Sequence, residues 1–225
     1  TITNEVVEEI FSNKLKIIPK RISLVSHIGL VNGLYATSSG QGGITIIQIF
    51  KTHSDIKLSL MITGQQGDIM KESVKCAKTI AWNLLPKTLK KNIHDDLENE
   101  AWGLHIHCPE ASVPKDGPSA GAAITLAMVS LFTNIPVKND VALTGEIDLN
   151  GDVHSIGGLE NKIDGGKCAG VKTICYPKSN SQDINIIRQN NKELLNNIEL
   201  VPVSDIWEVL NICLEDHNYS FNRFY

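Results

Sequence analysis

The stretch Pro114-Lys115-Asp116-Gly117-Pro118-Ser119-Ala120-Gly121 is polar or conformationally special at most positions, and an almost unbroken apolar run, Ala122 to Phe132, follows it. That junction reads as the start of a buried helix. Pro118 suits the first helical position, because its missing N–H would have no partner there. Asp116 or Gly117 can cap the helix from outside. Ser119 then falls in the first turn, where free backbone N–H groups and the positive end of the helix dipole face outward. A serine so placed can develop negative charge. Ala120, Gly121, Ala122 and Ala123 carry almost no side chain, so other backbone can approach from behind. An ordinary helix start with a surface serine fits these eight residues equally well, since GxSxG-like strings recur by chance.

The chain has 225 residues, enough for a sizeable core. Its formal net charge is −4, from 21 basic and 25 acidic residues. No basic patch interleaves with aromatics, which argues against a nucleic-acid surface. Five cysteines, at positions 76, 108, 168, 175 and 213, form no CxxC pair and fit reduced thiols in an intracellular compartment. The longest apolar runs are about a dozen residues, too short for a bilayer-spanning helix, so no membrane partner is expected. The N-terminus, Thr1-Ile-Thr-Asn-Glu-Val-Val-Glu-Glu9, has no signal- or transit-peptide character. It also lacks an initiator Met, so the expectation is a piece of a longer protein.

Residues 4–12 read as a short amphipathic helix within a lead-in of about 27 residues. Strands are expected at Ile28 to Ala36, Ile44 to Phe50, Lys57 to Thr63 and Leu104 to Cys108. Asp68 is placed to cap a helix to about Leu85, with Ile69, Val74, Ala77 and Ile80 inward. Pro86 to Glu100 is charged and reads as a loop. Beyond the Ser119 helix come a buried strand at Val141 to Thr144 and an Asn150-Gly151 hairpin signal. A helix from Leu159 to Ala169, a strand at Val171 to Tyr176, a helix from Asp183 to Asn196 and a strand at Ile198 to Val203 follow. Ser204 is placed to cap a last helix. A β-rich opening and an alternating remainder predict one compact α/β (α+β) domain of mixed sheets and helices over residues 1–225.

A serine hydroxyl is a weak nucleophile until a base takes its proton. Gly117 to Gly121 matches the GxSxG elbow by letters, but that elbow needs an apolar strand running into the serine. Here Pro109-Glu-Ala-Ser-Val-Pro-Lys-Asp116 precedes it, and only His154 and His217 lie downstream. Ser112-Val-Pro-Lys115 matches SxxK, yet Pro114 would interrupt the helical turn and neither SDN nor KTG occurs. A distant lysine is the third option. It must lose its proton well below about 10.4, which burial and a helix N-terminus both favour. Lys162 comes after Ile156-Gly-Gly-Leu159 and lies in the first turn of an expected helix. By position alone, a solvent-facing lysine remains the stronger reading.

The Ser119 motif resembles the active-site serine motif of Lon proteases, and the resemblance runs through several further strings in order. They are Thr63-Gly-Gln-Gln-Gly-Asp-Ile-Met-Lys-Glu-Ser73, His105-Ile-His-Cys-Pro-Glu110, Leu143-Thr-Gly-Glu146, Gly157-Gly158 with Lys162, Ala169-Gly-Val-Lys-Thr173 and Pro177. Matching stretches cover roughly residues 28–210. The resemblance implies a serine endopeptidase with Ser119 as nucleophile and Lys162, 43 positions later, as base. It implies Thr144 as a hydrogen-bond partner of the lysine amine; Asp116 and Gly117, as the candidate caps, are expected to support the serine turn. It also implies unfolded and regulatory protein substrates, a hexameric ring and an ATP-driven module elsewhere in the protein. ATP and Mg²⁺ belong to that module, since no GxxxxGK[ST] loop occurs here; the peptidase chemistry needs no cofactor and no metal. The implied location is a bacterial cytoplasm, or a mitochondrial matrix or other organelle.

The chain departs from the family pattern at His154-Ser-Ile-Gly-Gly158, where Leu-Pro-Ile-Gly-Gly is usual, and at Gly165 and Gly166, where alanines are common. Each glycine weakens a helix by about 0.8–1.0 kcal/mol relative to Ala, so the Lys162 helix is expected to be less well held. That keeps a rival open, a non-catalytic assembly or binding domain on the same fold with a misaligned dyad. His105 and His107 share one strand face, but zinc needs three or four convergent ligands and no third is evident. Gly64-Gln-Gln-Gly67 reads as a strand-to-helix turn rather than a phosphate cradle, because it lacks the lysine and the dinucleotide spacing.

Overall fold

A computed structural model describes residues 20–109 and 115–224, with positions 3 and 6. The expected lead-in helix and Pro114 lie outside those residues. The elements in chain order are β1 (Leu30–Ala36), β2 (Gly42–His53), β3 (Leu60–Thr63), α1 (Asp68–Leu84), α2 (Lys87–Asn99) and β4 (Trp102–His107). A 3₁₀ turn at Pro118–Ala120 leads into α3 (Gly121–Thr133). Next come β5 (Val141–Leu143), β6 (Glu146–Ile147), β7 (Val153–His154), α4 (Leu159–Ala169) and β8 (Thr173–Pro177). α5 (Ser181–Asn190), β9 (Glu199–Val203) and α6 (Ile206–Cys213) complete the described chain.

Among the described residues, seven strands form one mixed sheet in the order β3-β4-β2-β1-β5-β8-β9. The hairpin β1–β2 and the β2–β4 pair are antiparallel, and the other four pairings are parallel. Strand residues alternate between two cores. Val31, Ile47, Ile49 and Leu143 pack with α1, α3 and α6, whereas Leu34, Ile44, Ala142 and Ile174 pack with α4 and α5. Side chains two apart share a face, so this alternation is what a sheet covered on both sides requires. α3 is buried at every position except Leu131. A helix apolar all round must lie in the middle of a core, and α3 packs against both the sheet and α1. The result is the mixed α/β architecture expected from the sequence.

Several local expectations shift. Pro86 to Glu100 is helical over most of its length, not a loop: Ile93 and Leu97, four apart, are both buried, and Asp96 pairs with Lys51 at 3.0 Å. High charge masked a narrow apolar stripe. In α1 it is Met70, not Ile69, that turns inward, and Ile69 is 53% exposed. Gly67 rather than Asp68 precedes that helix, with Asp68 in its first turn. Asp205, not Ser204, caps α6 by accepting from the Glu208 N–H at 2.9 Å.

The glycines on α4 also have a different consequence from the one expected. A Cβ on Gly165 would fall 2.1 Å from the Gly43 nitrogen. A Cβ on Gly42 would fall 1.7 Å from the Asn161 carbonyl oxygen and 3.2 Å from the Lys162 nitrogen. Bare backbone on both sides lets α4 lie directly on the start of β2. The cost in helix propensity is offset by a close contact that fixes the helix. Gly42→Ala should therefore displace α4 and destabilise the fold by about 1–3 kcal/mol, the usual range for overpacking. Denaturant melts check this, and a variant as stable as the parent would show that the contact has slack.

Candidate active site

Ser119 sits in the 3₁₀ turn that opens α3, with Gly117 before it at φ +139°. Its carbonyl is pinned from behind. The Gly145 N–H donates to it at 2.8 Å, and the Gly145 carbonyl accepts from the Ala122 N–H at 3.1 Å. This reciprocal clamp needs small residues, because a Cβ on Gly121 would meet Ile147 at 2.9 Å. Gly145 comes directly after Thr144, at the end of β5, whose N–H donates to the Cys175 carbonyl at 3.2 Å. The serine turn is thus tied to the centre of the sheet.

Lys162 lies in the first part of α4, one turn from Gly158, whose carbonyl accepts from the Lys162 N–H at 3.0 Å. It is 3% exposed, which is rare for a lysine without a carboxylate partner. Its amine donates to Thr144 Oγ1 at 3.0 Å. The same hydroxyl donates to the Ser119 carbonyl at 3.3 Å. One hydroxyl therefore uses its proton on the serine residue and a lone pair on the lysine. Burial disfavours the ammonium form and pulls the Lys162 pKa from 10.5 down to about 8.

Ser119 and Lys162 line the same groove of about 500 Å³, with Tyr35, Thr37, Asp116 and Gly157 among its other walls. A second groove of about 490 Å³ continues past Ser119 between Leu34, Thr45, Met70 and Ala120. The Tyr35–Ser38 and Ser155–Gly158 segments and Met70 were not singled out from sequence as site walls. The string Gly33-Leu-Tyr-Ala-Thr37 was the available signal.

Asp116 borders both grooves, but its carboxylate has a different task from the helix cap anticipated for it. It accepts from the Met70 N–H at 3.0 Å and the Gly117 N–H at 3.1 Å, so it caps α1 and orders the step before the serine. His154 bonds to Asp148 at 3.0 Å on the β6–β7 hairpin and is not among the groove walls. His105 and His107 both face the Thr63 hydroxyl. Among the described residues, no group of three or more His, Cys, Asp or Glu side chains is placed to hold a metal.

Comparison with known proteins shows the family of the chain. The family model of the Lon protease (S16) C-terminal proteolytic domain matches residues 1–216. A Lon protease homolog of Acanthamoeba polyphaga mimivirus is 40% identical over 215 residues, 93% of this chain and 20% of that protein. The Lon protease of Trichlorobacter lovleyi is 42% identical over 192 residues, 84% of this chain and 22% of the relative. That of Vibrio parahaemolyticus is 40% identical over 191 residues, 84% of this chain and 23% of the relative. The chain thus spans about a fifth of the length of these relatives. With a match over nearly its whole length, the chain belongs to the Lon protease (S16) C-terminal proteolytic domain family.

Proposed function

We propose that this chain is a serine endopeptidase domain in which Ser119 is the nucleophile and Lys162 the general base. The observation that carries the reading is the buried Lys162 amine, its pKa lowered to about 8, opening on the same groove as Ser119. A lysine poised near neutrality can take a proton that an ordinary lysine cannot. Neutral Lys162 accepts the Ser119 proton as Oγ attacks the peptide carbonyl. The resulting ammonium returns that proton to the leaving amine, and an acyl-enzyme remains. Lys162, neutral again, then activates the water that releases the acid product. Backbone N–H groups at the start of the Ser119 turn stabilise the oxyanion.

The edge of β1 supports an extended peptide as substrate. In the β1–β2 hairpin, backbone groups alternate between facing β2 and facing away. β5 pairs with β1 at Asn32 and Gly33 and stops at Leu143. Beyond it, Ala36 borders both grooves. A substrate strand added there would run past Ser119, with main-chain bonds giving affinity and side chains entering the grooves. Unfolded protein substrates, assembly as a hexameric ring and coupling to an ATP- and Mg²⁺-dependent module elsewhere in the protein belong to the same proposal. So does residence in a reducing compartment, a bacterial cytoplasm or a mitochondrial matrix. All five cysteines are free thiols, and none of the described helices is long and apolar enough to cross a membrane.

A non-catalytic scaffold is the competing reading. One observation favours it: among the described residues, the Lys162 amine bonds to Thr144 rather than to the Ser119 hydroxyl. Such bonds are often long before substrate binds, and the shared groove favours catalysis. Fluorophosphonate labelling at Ser119 separates the two, because a scaffold would not react.

Peptide hydrolysis should rise with pH through about 8, as Lys162 loses its proton. Ser119→Ala and Lys162→Arg should be inactive, since arginine stays charged to beyond about pH 12. Thr144→Val should be milder, because one net hydrogen bond is worth about 0.5–1.5 kcal/mol. A pH–rate profile on one fluorogenic peptide checks all four proteins. An active Lys162→Arg with an unchanged profile would mean another base.

The buried lysine also has a stability signature. Below about pH 8 it is charged in both the folded and unfolded chain, and the folded state bears the full desolvation cost. Between about 8 and 10.5 the unfolded chain binds more protons, so this group's penalty fades as pH rises. Lys162→Met should therefore stabilise the fold at pH 7 by about 3 kcal/mol, with most of that gain gone by pH 10. Denaturant melts of both proteins at the two pH values test it. An equal difference at both would show that the amine is not desolvated.

A further inference from the structure

α4 and α5 cover one face of the sheet over β1, β5 and β8. They leave the β2–β4–β3 end of that face open, where Phe50 is 56% and Met61 46% exposed. On this open end three polar side chains converge. Thr63 ends β3 and pairs in register with His107 on β4, two residues beyond His105. Thr63 Oγ1 lies 2.8 Å from His105 Nε2 and 2.7 Å from His107 Nδ1. A hydroxyl has one proton to give and lone pairs to receive. At most one ring nitrogen can accept from Thr63, so at least one ring N–H donates to its oxygen. The two rings and the hydroxyl fix each other's orientation at the last residue before the chain leaves the sheet.

The residues after Thr63 connect it to the catalytic turn. Gly64, at φ +94°, is packed so closely that a Cβ would fall 2.0 Å from the Cys108 carbonyl oxygen. The buried Gln66 side chain donates to the Thr63 carbonyl at 2.9 Å. Residues 65–67 then pair with Lys115: the Lys115 N–H donates to Gln65 at 3.0 Å, and the Gly67 N–H donates to Lys115 at 2.7 Å. Asp116 comes next, caps α1 through Met70 and holds the Gly117 N–H. Pro118 and Ser119 are the next residues along the turn. Along the described chain, the serine turn is thus held from one side by the Gly145 clamp and from the other by the end of β3.

We propose that Thr63, His105 and His107 are positioning residues for Ser119, acting through residues 64–67 and the Lys115–Asp116 step. They touch no substrate; they set the register of the loop that delivers the nucleophile. The inference rests on the peptidase reading. A misplacement of about 1 Å at a reacting group costs on the order of a hundredfold in rate, so a slack anchor should lower kcat while leaving KM nearly unchanged.

The test compares Thr63→Val with Thr63→Ser, and His107→Ala with His107→Asn, whose amide places a polar atom near the lost Nδ1. Each is measured in the 225-residue chain for peptide hydrolysis, thermal stability and hydrogen exchange at the Gly67 and Lys115 amides. Thr63→Val and His107→Ala should lose at least about tenfold in kcat, with KM within about twofold and faster exchange at both amides. Thr63→Ser and His107→Asn should keep kcat within about threefold, because the hydrogen-bonding atom is retained. Unchanged kcat and exchange in Thr63→Val, a loss confined to KM, or a serine variant no better than the valine one would overturn the proposal. If Thr63→Val does not fold, the His107 pair decides by the same criteria. Wild type and Ser119→Ala in the same assay separate the two ideas. No Ser119-dependent turnover in wild type would remove the peptidase reading and this inference with it. Normal turnover with unresponsive Thr63 and His107 variants would remove only this inference.

Discussion

Everything distinctive about the site depends on one buried amine. Lys162 brings a cationic group to 3% exposure with a hydroxyl, not a carboxylate, as its partner. An acidic partner would have stabilised the ammonium and kept the pKa high. A hydroxyl does not, so desolvation prevails and the amine becomes able to shed its proton near neutral pH. Under the proposed role of Lys162, the arrangement sacrifices stability for reactivity, a trade expected where a buried polar group is kept for function. Thr144 makes the trade specific: its single hydroxyl faces both the lysine and the serine residue, so the two elements cannot shift independently.

Holding that amine in place requires backbone to meet backbone. α4 rests on the first residues of β2 through glycines at 42 and 165. The serine turn rests on Gly145 through a pair of main-chain hydrogen bonds. Main-chain contacts of this kind have few alternative packings, since nothing in them can change rotamer. The conformational latitude of the surrounding glycines is spent on proximity, and the site gains precision from residues that contribute no side chain to it.

Much of this was legible in the sequence, and the failures have physical reasons. The Ser119 turn and the α4 helix announced themselves through proline, glycine and an abrupt onset of apolar residues. The strands β5 and β8 read clearly because they are buried on both faces. Position alone favoured an exposed Lys162, because burial is a tertiary property that helix periodicity cannot report. α2 was hidden because Ile93 and Leu97 are its only buried positions in a run of charge. Gly165 looked like a weakness because helix propensity ignores what lies against the helix. Asp116 was read as a local cap, whereas its partner Met70 is 46 positions away. The pair His105 and His107 suggested a metal only by spacing; the hydroxyl between them belongs to a neighbouring strand that is remote in sequence.

The central claim is that Lys162 is an amine desolvated to the edge of deprotonation at working pH. Its most direct test is a titration of the Lys162 side chain itself, followed by NMR of labelled lysine and assigned by difference with Lys162→Met. The account predicts a midpoint near 8. A midpoint near 10.5, the ordinary value for lysine, would mean that the amine is hydrated or paired in solution, and it would contradict Lys162 as the base.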